Sequence, residues 1–350
     1  MDFLLERMTR QGLASRGSAS PATVAASALG LQAQDVGSSR LGVRARTSGV
    51  DEAGVVAAYA VERSVVRSWL MRATVHLVAA EDVRWLVDLF GPMIQRRFRN
   101  VRWRQLGIDD RLIEAAIPHT REVLAGRELT RHEIAAALAE RGIRLADDGQ
   151  AATHLLLALS CRGVTCRAGD RGRDSTFALL DDWVPGGSAP ADPLAELARR
   201  YFLAFGPATA ADFTTWSGLP AGAAIKAIRD ELTEVEFDSR RGWTLGTVEP
   251  VPGLRLLPMF DNYLIGYRDR TAMLDPALHP QVYVGGIIKA TVVCDGRVIG
   301  IWRLDRTARS TAIRVSPFEP FKRRHRAEIE RERADLERFL GRPVSLAVDG

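Results

Sequence analysis

The first third of the chain has apolar residues at helical spacing, followed by strand-like alternation. Residues 2–29 hold two short helical stretches, and Ser20–Pro21 supplies an N-cap with proline in the first helical position. A third helix is predicted over residues 50–66, and alternation in residues 68–78 predicts a pair of strands. Helices followed by a strand pair are typical of a winged helix, so we predict a first winged-helix domain over residues 1–108.

Two further segments repeat this order of helices and a hairpin. In the first of them, Thr130 and Glu133 have the spacing of a capping box, and a strand, a Gly/Asp/Arg turn and a second strand follow the next helix. This pattern predicts a second winged helix over residues 109–187. A linker rich in Pro and Gly follows at residues 184–193. The helices and short hairpin after it predict a third winged helix over residues 192–248.

From residue 250 onwards the pattern changes to short strands separated by Gly, Pro and Asp. Asp295–Gly296 is a strong signal for a hairpin turn. These strands would form a small barrel or a curled sheet, and we predict a small β-barrel over residues 250–350. The last helix carries alternating charges at helical spacing, which predicts a solvent-exposed helix. The predicted fold class is therefore α+β, with three tandem winged-helix units followed by a C-terminal small β-barrel.

Composition and charge narrow the class of protein. A hydrophobic fraction of 46% is ordinary for a globular protein. The net charge of +5 and the isoelectric point near 9.4 are compatible with a polyanionic partner. Only three of the 48 Lys and Arg residues are lysines. A GC-rich genome accounts for most of this bias, and arginine side chains suit both phosphate and guanine edges.

The cysteines and the apolar runs indicate in which cellular compartment the protein lies and whether it binds metal. The three cysteines do not have the spacing of zinc ligands, and they indicate free thiols in a reducing compartment. The N-terminal residues lack the apolar core of a signal peptide, and no apolar run is long enough to span a bilayer. We therefore expect a soluble cytoplasmic protein with no membrane, metal or cofactor requirement.

The clearest candidate for chemistry is the segment of residues 29–47. Gln32 and Gln34 lie two residues apart, so their side chains point the same way if the backbone is extended. A turn rich in Gly and Ser comes next, and three arginines follow it: Arg40, Arg44 and Arg46. A glutamine amide can orient a nucleophile by hydrogen bonds without being a strong base. The alternative interpretation is that the two glutamines only cap and solvate a helix end.

Five motifs, in order along nearly the full chain, resemble those of the AlkZ/YcaQ DNA glycosylase family. The first is Gln32–Ala33–Gln34, which resembles the Gln-x-Gln motif of the family. The other four are RATVHLV at Arg72–Val78, FGPATAADFTTWSGL at Phe205–Leu219, FDNYLIGYRDR at Phe260–Arg270 and GRVIGIWR at Gly296–Arg303.

The resemblance implies a C-shaped protein that curls round duplex DNA and excises N-alkylated purines, including bulky adducts and interstrand crosslinks. A guanine alkylated at N7 is positively charged and leaves as a neutral base, so its glycosidic bond is already weak. Cleavage then needs a positioned water and stabilisation of an oxocarbenium-like sugar. By the family match, Gln32 and Gln34 hold that water against C1′. No lysine lies near them in the sequence to form a Schiff base, which argues for a monofunctional glycosylase.

Several other residues are candidates on weaker grounds. Asp35 directly follows the motif and could supply a carboxylate in place of the glutamines. Arg72, His76 and Asp261 are candidates for catalysis or for lining the site, although a strand histidine or a loop aspartate can equally be structural. DNA binding is predicted for Arg40, Arg44, Arg46, Arg268 and Arg270. The predicted partner is duplex DNA carrying an alkylated purine, bound by a monomer.

We therefore predict a DNA glycosylase that acts in repair or in self-resistance to a DNA-alkylating natural product. The competing hypothesis is a non-enzymatic winged-helix transcription regulator, which would need base-reading side chains at the start of a recognition helix. The helix sequence AGAAIKAIRDEL offers few of them. A protein-interaction scaffold would leave the glutamine pair unexplained. Salt-dependent DNA binding separates the scaffold from the other two, and base excision separates the glycosylase from the regulator.

Overall fold

The computed structural model describes residues 2–146, 149–307 and 309–349. Its contacts divide the chain into two compact units. The first unit combines residues 1–55 with residues 194–350, and the second unit is the intervening segment, residues 56–193. This division differs from the four consecutive domains predicted from the sequence. The predicted linker at residues 184–193 does coincide with the second boundary between the units.

The N-terminal part of the first unit is mainly helical. Its elements are α1 (Phe3–Arg10), α2 (Pro21–Ser27), β1 (Leu31–Gln32), α3 (Val36–Arg46) and the beginning of α4 (Glu52–Ala60), which crosses the unit boundary. Ser20 caps α2 as predicted, because its Oγ accepts a hydrogen bond from the Thr23 N–H at 3.1 Å. The predicted turn after the glutamines is wrong, since those residues form the first turns of α3.

The second unit contains a mostly antiparallel sheet with helices packed against it. Its elements are β2 (Val65–Trp69), β3 (Val75–Ala79), α5 (Val83–Phe98), α6 (Asp110–Leu124), β4 (Leu129–Thr130), α7 (Arg131–Ala139), α8 (Ala151–Ser160), β5 (Thr165–Arg171), β6 (Asp174–Leu179) and α9 (Leu180–Trp183). Within this unit the strand order is β3–β2–β5–β6–β4. The predicted strand pair after α4 and the predicted hairpin of β5 and β6 are confirmed. Thr130 and Glu133 form the predicted capping box of α7.

The first unit resumes with helices and a hairpin, in the predicted order. The elements are α10 (Pro193–Phe205), α11 (Ala210–Ser217), α12 (Ala221–Ala227), β7 (Thr233–Phe237) and β8 (Arg240–Thr244). Aromatic residues on α10 and α11 form the core of this part, since the ring of Tyr201 lies 4.9 Å from those of both Phe205 and Trp216. These contacts fix the helices by burial of large rings.

The C-terminal part contains a five-stranded sheet and one long helix. Its elements are β9 (Leu254–Leu257), α13 (Asn262–Ile265), α14 (His279–Val282), β10 (Tyr283–Val284), β11 (Ile287–Ile288), β12 (Thr291–Cys294), β13 (Arg297–Arg306), β14 (Thr311–Pro317), α15 (Arg323–Leu340) and β15 (Ser345–Val348). The large sheet has the order β15–β14–β13–β12–β9. The predicted closed barrel is wrong, because among the described strands no pairing joins β15 to β9. The Asp295–Gly296 turn is confirmed, and it joins Cys294 to its partner Arg297.

Helix α15 is not the fully solvated helix that its charges predict. Its buried side chains include Ile329, Leu336 and Phe339, and the first two belong to the core beneath the sheet. Glu332 is buried on the same face and accepts hydrogen bonds from three arginine side chains: Arg16, Arg44 and Arg255. Burial alone would raise the pKa of Glu332, but these guanidinium charges lower it to about 2. The final helix therefore holds the sheet and the N-terminal elements together through Glu332, with Asp335 pairing to two of the same arginines.

Candidate functional site

The glutamine motif lies between a tight turn and the start of α3. Leu29 and Gly30 have φ values of 53° and 88°, so the chain reverses just before β1. Gln32 then lies in the short strand β1, and Gln34 follows after its end, so the extended backbone considered for the pair includes only Gln32. Asp35 ends this extended stretch by capping α3, because its Oδ1 accepts from the Ser38 N–H at 2.6 Å. The backbone of the motif is thus fixed on both sides by local structure.

Asn262 holds the turn before the glutamines, and sequence reasoning missed this role. Its Nδ2 donates to the carbonyl oxygens of Ala28, at 3.1 Å, and Gly30, at 2.7 Å. The neighbouring Asp261 is buried and receives two hydrogen bonds from Arg46, at 2.8 and 2.9 Å. The segment after β9 therefore fixes the turn before the motif and the helix after it. The only available signal was that these two residues belong to the FDNYLIGYRDR stretch.

The two glutamines differ in exposure. Gln32 is only 9% exposed, whereas Gln34 is an exposed residue. The buried Oε1 of Gln32 has no hydrogen-bond partner among the described residues. Gln32 also lines a void of about 10 Å³, together with Ser38, Ser39 and Asp261. A void of this volume is about the size of a single water molecule. An amide acceptor beside such a space is the arrangement that holding one water requires.

Arg44 and Arg46 are buried in ion pairs, so the prediction that they bind DNA is wrong. Arg44 is fully buried and pairs with Glu332 at 2.7 Å and Asp335 at 2.7 Å. Arg46 is also buried, in its pair with Asp261. A guanidinium group enclosed in such a pair cannot reach a phosphate. Arg40 is different, because its side chain is 21% exposed and lies 3.7 Å from Glu52. Its role in DNA binding stays a prediction.

Asp35 lies at the edge of a much larger cavity. This cavity has a volume of about 630 Å³ and lies between the first half of α3 and the sheet strands β13 and β14. Lys289 lines the same cavity. Sequence reasoning found no lysine near the glutamines because Lys289 is more than two hundred residues away along the chain. The fold brings a primary amine and the exposed carboxylate that follows the motif to one cavity.

Arg268 and Arg270 lie beyond α13 and differ in environment. Arg268 is exposed, and its backbone N–H donates to Asp212 at 2.8 Å. Arg270 is partly exposed, donates to the carbonyl of Leu264, and lies 5.5 Å from the centre of the Tyr283 ring. Arg268 has the exposure that contact with phosphate requires, and DNA binding by both residues stays a prediction.

Arg72 and His76 belong to the second unit. Arg72 has a left-handed backbone, with φ 55°, in the turn between β2 and β3. His76 lies on β3, is 1% exposed, and its Nδ1 is 3.0 Å from the carbonyl oxygen of Thr74. Burial, followed by the charge of Arg72, lowers the pKa of His76 from its ordinary 6.5 to about 3. The imidazole is therefore neutral near pH 7, which suits a structural role in the strand.

We expect the buried His76 to make stability depend on pH. Its folded pKa lies below its unfolded pKa, so the unfolded chain takes up the proton first as the pH falls. The free energy of unfolding should decrease by about 1.4 kcal/mol between about pH 7.5 and 5.5 on account of this group alone. Urea titrations at the two pH values should show this loss, and His76→Asn should remove it. An equal decrease in the variant would show that other groups cause it.

No group of three or more His, Cys, Asp or Glu side chains among the described residues converges as metal ligands would. Within the same ranges, no helix has the length and apolar character needed to cross a bilayer.

Comparison with known proteins identifies the class to which this α+β chain belongs. The family model described as "DNA glycosylase AlkZ-like" matches residues 25–339, a range that contains every candidate site residue. This chain belongs to that family of DNA glycosylases.

A curated relative and a solved structure extend the match over nearly the whole chain. The chain is 28% identical over 366 residues to a protein of Streptomyces sahachiroi named interstrand DNA cross-link repair glycosylase, covering 96% of this chain and 95% of that one. The fold is similar to the structure of Streptomyces sahachiroi DNA glycosylase AlkZ. That match has a TM-score of 0.81, 26% identity, and coverage of 99% of this chain and 98% of the other.

Proposed function

We propose that this protein hydrolyses the N-glycosidic bond of N7-alkylated purines, bulky or crosslinked, in duplex DNA. Its role would be DNA repair or self-resistance to a DNA-alkylating natural product. The observation that carries the proposal is the pair of glutamines at the start of α3, where buried Gln32 borders a void of one-water size. The name of the Streptomyces relative, which refers to interstrand cross-links, supports a bulky or crosslinked substrate.

The proposed reaction needs little acid–base chemistry. The bond between C1′ and N9 breaks with its electron pair going to the base, and this neutralises the positive charge that N7-alkylation placed there. A water molecule attacks C1′ and loses a proton to solvent. The amides of Gln32 and Gln34 would hold that water, since an amide oxygen accepts and an amide nitrogen donates. Positioning and transition-state stabilisation then supply the rate enhancement.

The order of elements supports winged-helix DNA binding. Each predicted winged-helix segment contains helices followed by an antiparallel hairpin: β2 with β3, β5 with β6, and β7 with β8. Exposed arginines that could contact phosphate lie in the first unit at Arg268 and in the second unit at Arg96 and Arg104.

The direct test uses a defined duplex that carries one N7-methylguanine. We expect the wild-type protein to release the free base, detected by chromatography, and to leave an abasic site that hot alkali cleaves. The same duplex incubated without protein corrects for spontaneous depurination. Tight binding without release from methylated, bulky or crosslinked DNA would favour the transcription regulator instead.

We expect the reaction to stop at the abasic site, although Lys289 lies in the fold near Asp35. Lys289 lines the larger cavity but not the void at Gln32. Incubating the protein with abasic duplex and sodium borohydride should therefore give no covalent complex, because no lysine amine reaches C1′. A trapped complex that disappears in Lys289→Met would show that the protein is a lyase as well.

A further inference from the structure

The large cavity beside α3 is not needed to hold one water, and its use is unexplained by the proposed hydrolysis. We call it the sheet cavity. It is lined by Asp35 and Ser38 of the α3 N-terminus on one side and by residues of β13 and β14 on the other. All its lining residues belong to the first unit. Its volume of about 630 Å³ lies within the range of roughly 300–1,000 Å³ found for sites that bind small organic molecules.

The sheet cavity is continuous in its walls with the void at Gln32. Ser38, Pro258 and Met259 line both spaces. The residue that follows the glutamine pair, Asp35, is at the rim of the larger one. A group attached to a base at the glutamine motif therefore has a ready-made space beside it.

The walls of the sheet cavity are largely apolar. Seven side chains form this apolar surface: Leu41, Pro258, Met259, Ala290, Ile301, Trp302 and Leu304. The one polar atom of the Trp302 indole is already used, because its Nε1 donates to the carbonyl of Leu257 at 2.7 Å. These residues give the cavity an apolar and aromatic surface, which suits a flat hydrophobic group.

The three arginines that line the cavity pair with carboxylates of the protein, and Lys289 differs from them. Arg306 makes two hydrogen bonds to Glu52, at 2.8 and 2.9 Å. Arg303 and Arg314 lie 3.3 and 3.7 Å from carboxylates of Asp305 and Asp349. Lys289 has no carboxylate partner in the part of the chain that the structure describes. Its ammonium group is thus a donor available to a ligand that carries a hydrogen-bond acceptor.

From these observations we infer that the sheet cavity binds the non-base part of a bulky purine adduct, an aromatic body with a carbonyl acceptor that Lys289 contacts. The inference rests on the proposed glycosylase function and adds a specificity site to it. If the inference holds, the protein accepts large adducts because the attached group enters the sheet cavity while the base stays at the glutamines.

The test compares two lesions in the same duplex: N7-methylguanine and a guanine alkylated at N7 with a coumarinylmethyl group. Coumarin is a two-ring aromatic with a carbonyl, and its emission changes when it leaves water. Ala290→Phe fills the cavity and should lower kcat/KM on the coumarin adduct by roughly 10- to 100-fold, while excision of N7-methylguanine stays within about twofold of wild type.

A second variant covers the case in which Ala290→Phe fails to fold. Lys289→Met keeps the length of the side chain and removes its charge, and it should also lower kcat/KM on the coumarin adduct more than on N7-methylguanine. Lys226→Met is the matched control, since Lys226 is exposed on α12 and does not line the cavity. This control should leave the ratio of the two rates unchanged.

Binding measured without turnover separates the cavity from the chemistry. With Gln32→Ala, coumarin emission should shift on binding of the adducted duplex, and Lys289→Met should reduce that shift. No shift, or an equal loss of rate on both lesions in the cavity variants, would overturn the inference. Failure of the wild type to release N7-methylguanine would instead overturn the proposed function, whatever the emission shows.

Discussion

Gln32→Ala and Gln34→Ala are each expected to lower kcat/KM for release of N7-methylguanine by about 10²- to 10³-fold, as the loss of one group that stabilises a transition state does. Gln32 borders the void of one-water size, and Gln34 follows it two residues later, between the end of β1 and the start of α3. DNA affinity should change little, since neither side chain carries charge. The measurement is single-turnover release of the base, together with the DNA dissociation constant of each variant.

Two controls accompany this prediction: the unfolding midpoint of each glutamine variant, and the variant Asp35→Asn, which removes the neighbouring charge. Gln34 is exposed, so its replacement should leave the unfolding midpoint unchanged, whereas the buried Gln32 should cost a little stability. Asp35→Asn keeps the helix cap, because asparagine caps as well as aspartate, and it removes the carboxylate next to the motif. If Asp35→Asn abolished release and the glutamine variants did not, the carboxylate would take the catalytic role. Loss of release in proportion to loss of stability would make the glutamines structural.

Glu332→Gln is expected to destabilise the protein by about 3–5 kcal/mol, the usual cost of leaving buried charges without their partner. Glu332 accepts hydrogen bonds from Arg44 at 2.7 Å, Arg255 at 2.7 Å and the Leu256 N–H at 3.0 Å. Because the pKa of this carboxyl is lowered to about 2, its stabilisation is complete above its ordinary pKa of 4.5 and is lost as the pH falls towards 2. Urea unfolding near pH 7 measures the loss in the variant.

Glu337→Gln is the matched control on the same helix. Glu337 pairs with Arg333 at 2.7 Å, but its side chain is 44% exposed, so the change should cost much less stability than Glu332→Gln. Similar losses in the two variants would show that the buried carboxylate is not what holds α15 in place. Glu332 also fixes Arg44 on α3. The Glu332→Gln variant should therefore release bases more slowly than the wild type even at temperatures where it is still folded.

The elements that could be predicted from the sequence are those set by neighbouring residues. The cap of α2 at Ser20 and the capping box of Thr130 and Glu133 each join residues three positions apart. The Asp295–Gly296 turn likewise depends on backbone preferences at two positions. Each of these features depends only on residues close together in the sequence, so the sequence alone is enough to predict it.

Helix α3 could not be predicted in the same way. Its first turns contain Gly and Ser, which have low helix propensity, and its stability comes from packing and from ion pairs. The carboxylates that pair with Arg46 and Arg44 lie 215 and 288 positions away. The arginines therefore resembled a DNA-binding cluster, although the fold uses two of them internally. The buried face of α15 was missed for the same reason, because the arginines that pair with Glu332 are distant in the sequence.

The candidate site was partly predictable. The glutamine pair could be found because its spacing lies within one motif, whereas its backbone could not be predicted, since Gln32 ends the strand β1 and Gln34 lies beyond it. Asn262 and Lys289 could not be assigned, since their significance depends on carbonyls and a cavity formed by distant segments. The open sheet was also missed, because short strands separated by turns do not show whether the first and last of them pair.

The discontinuous first unit has a consequence for how the protein is made. The glutamine segment leaves the ribosome early, but the residues that hold it, Asn262 beside the turn and Glu332 on α15, are synthesised after the whole second unit. The second unit can fold while the N-terminal segment still waits for its partners, since domains fold as units during synthesis. A chain released before α15 would carry the motif without its fixed geometry. The glutamine segment thus gains its fixed geometry only after α15 has been synthesised.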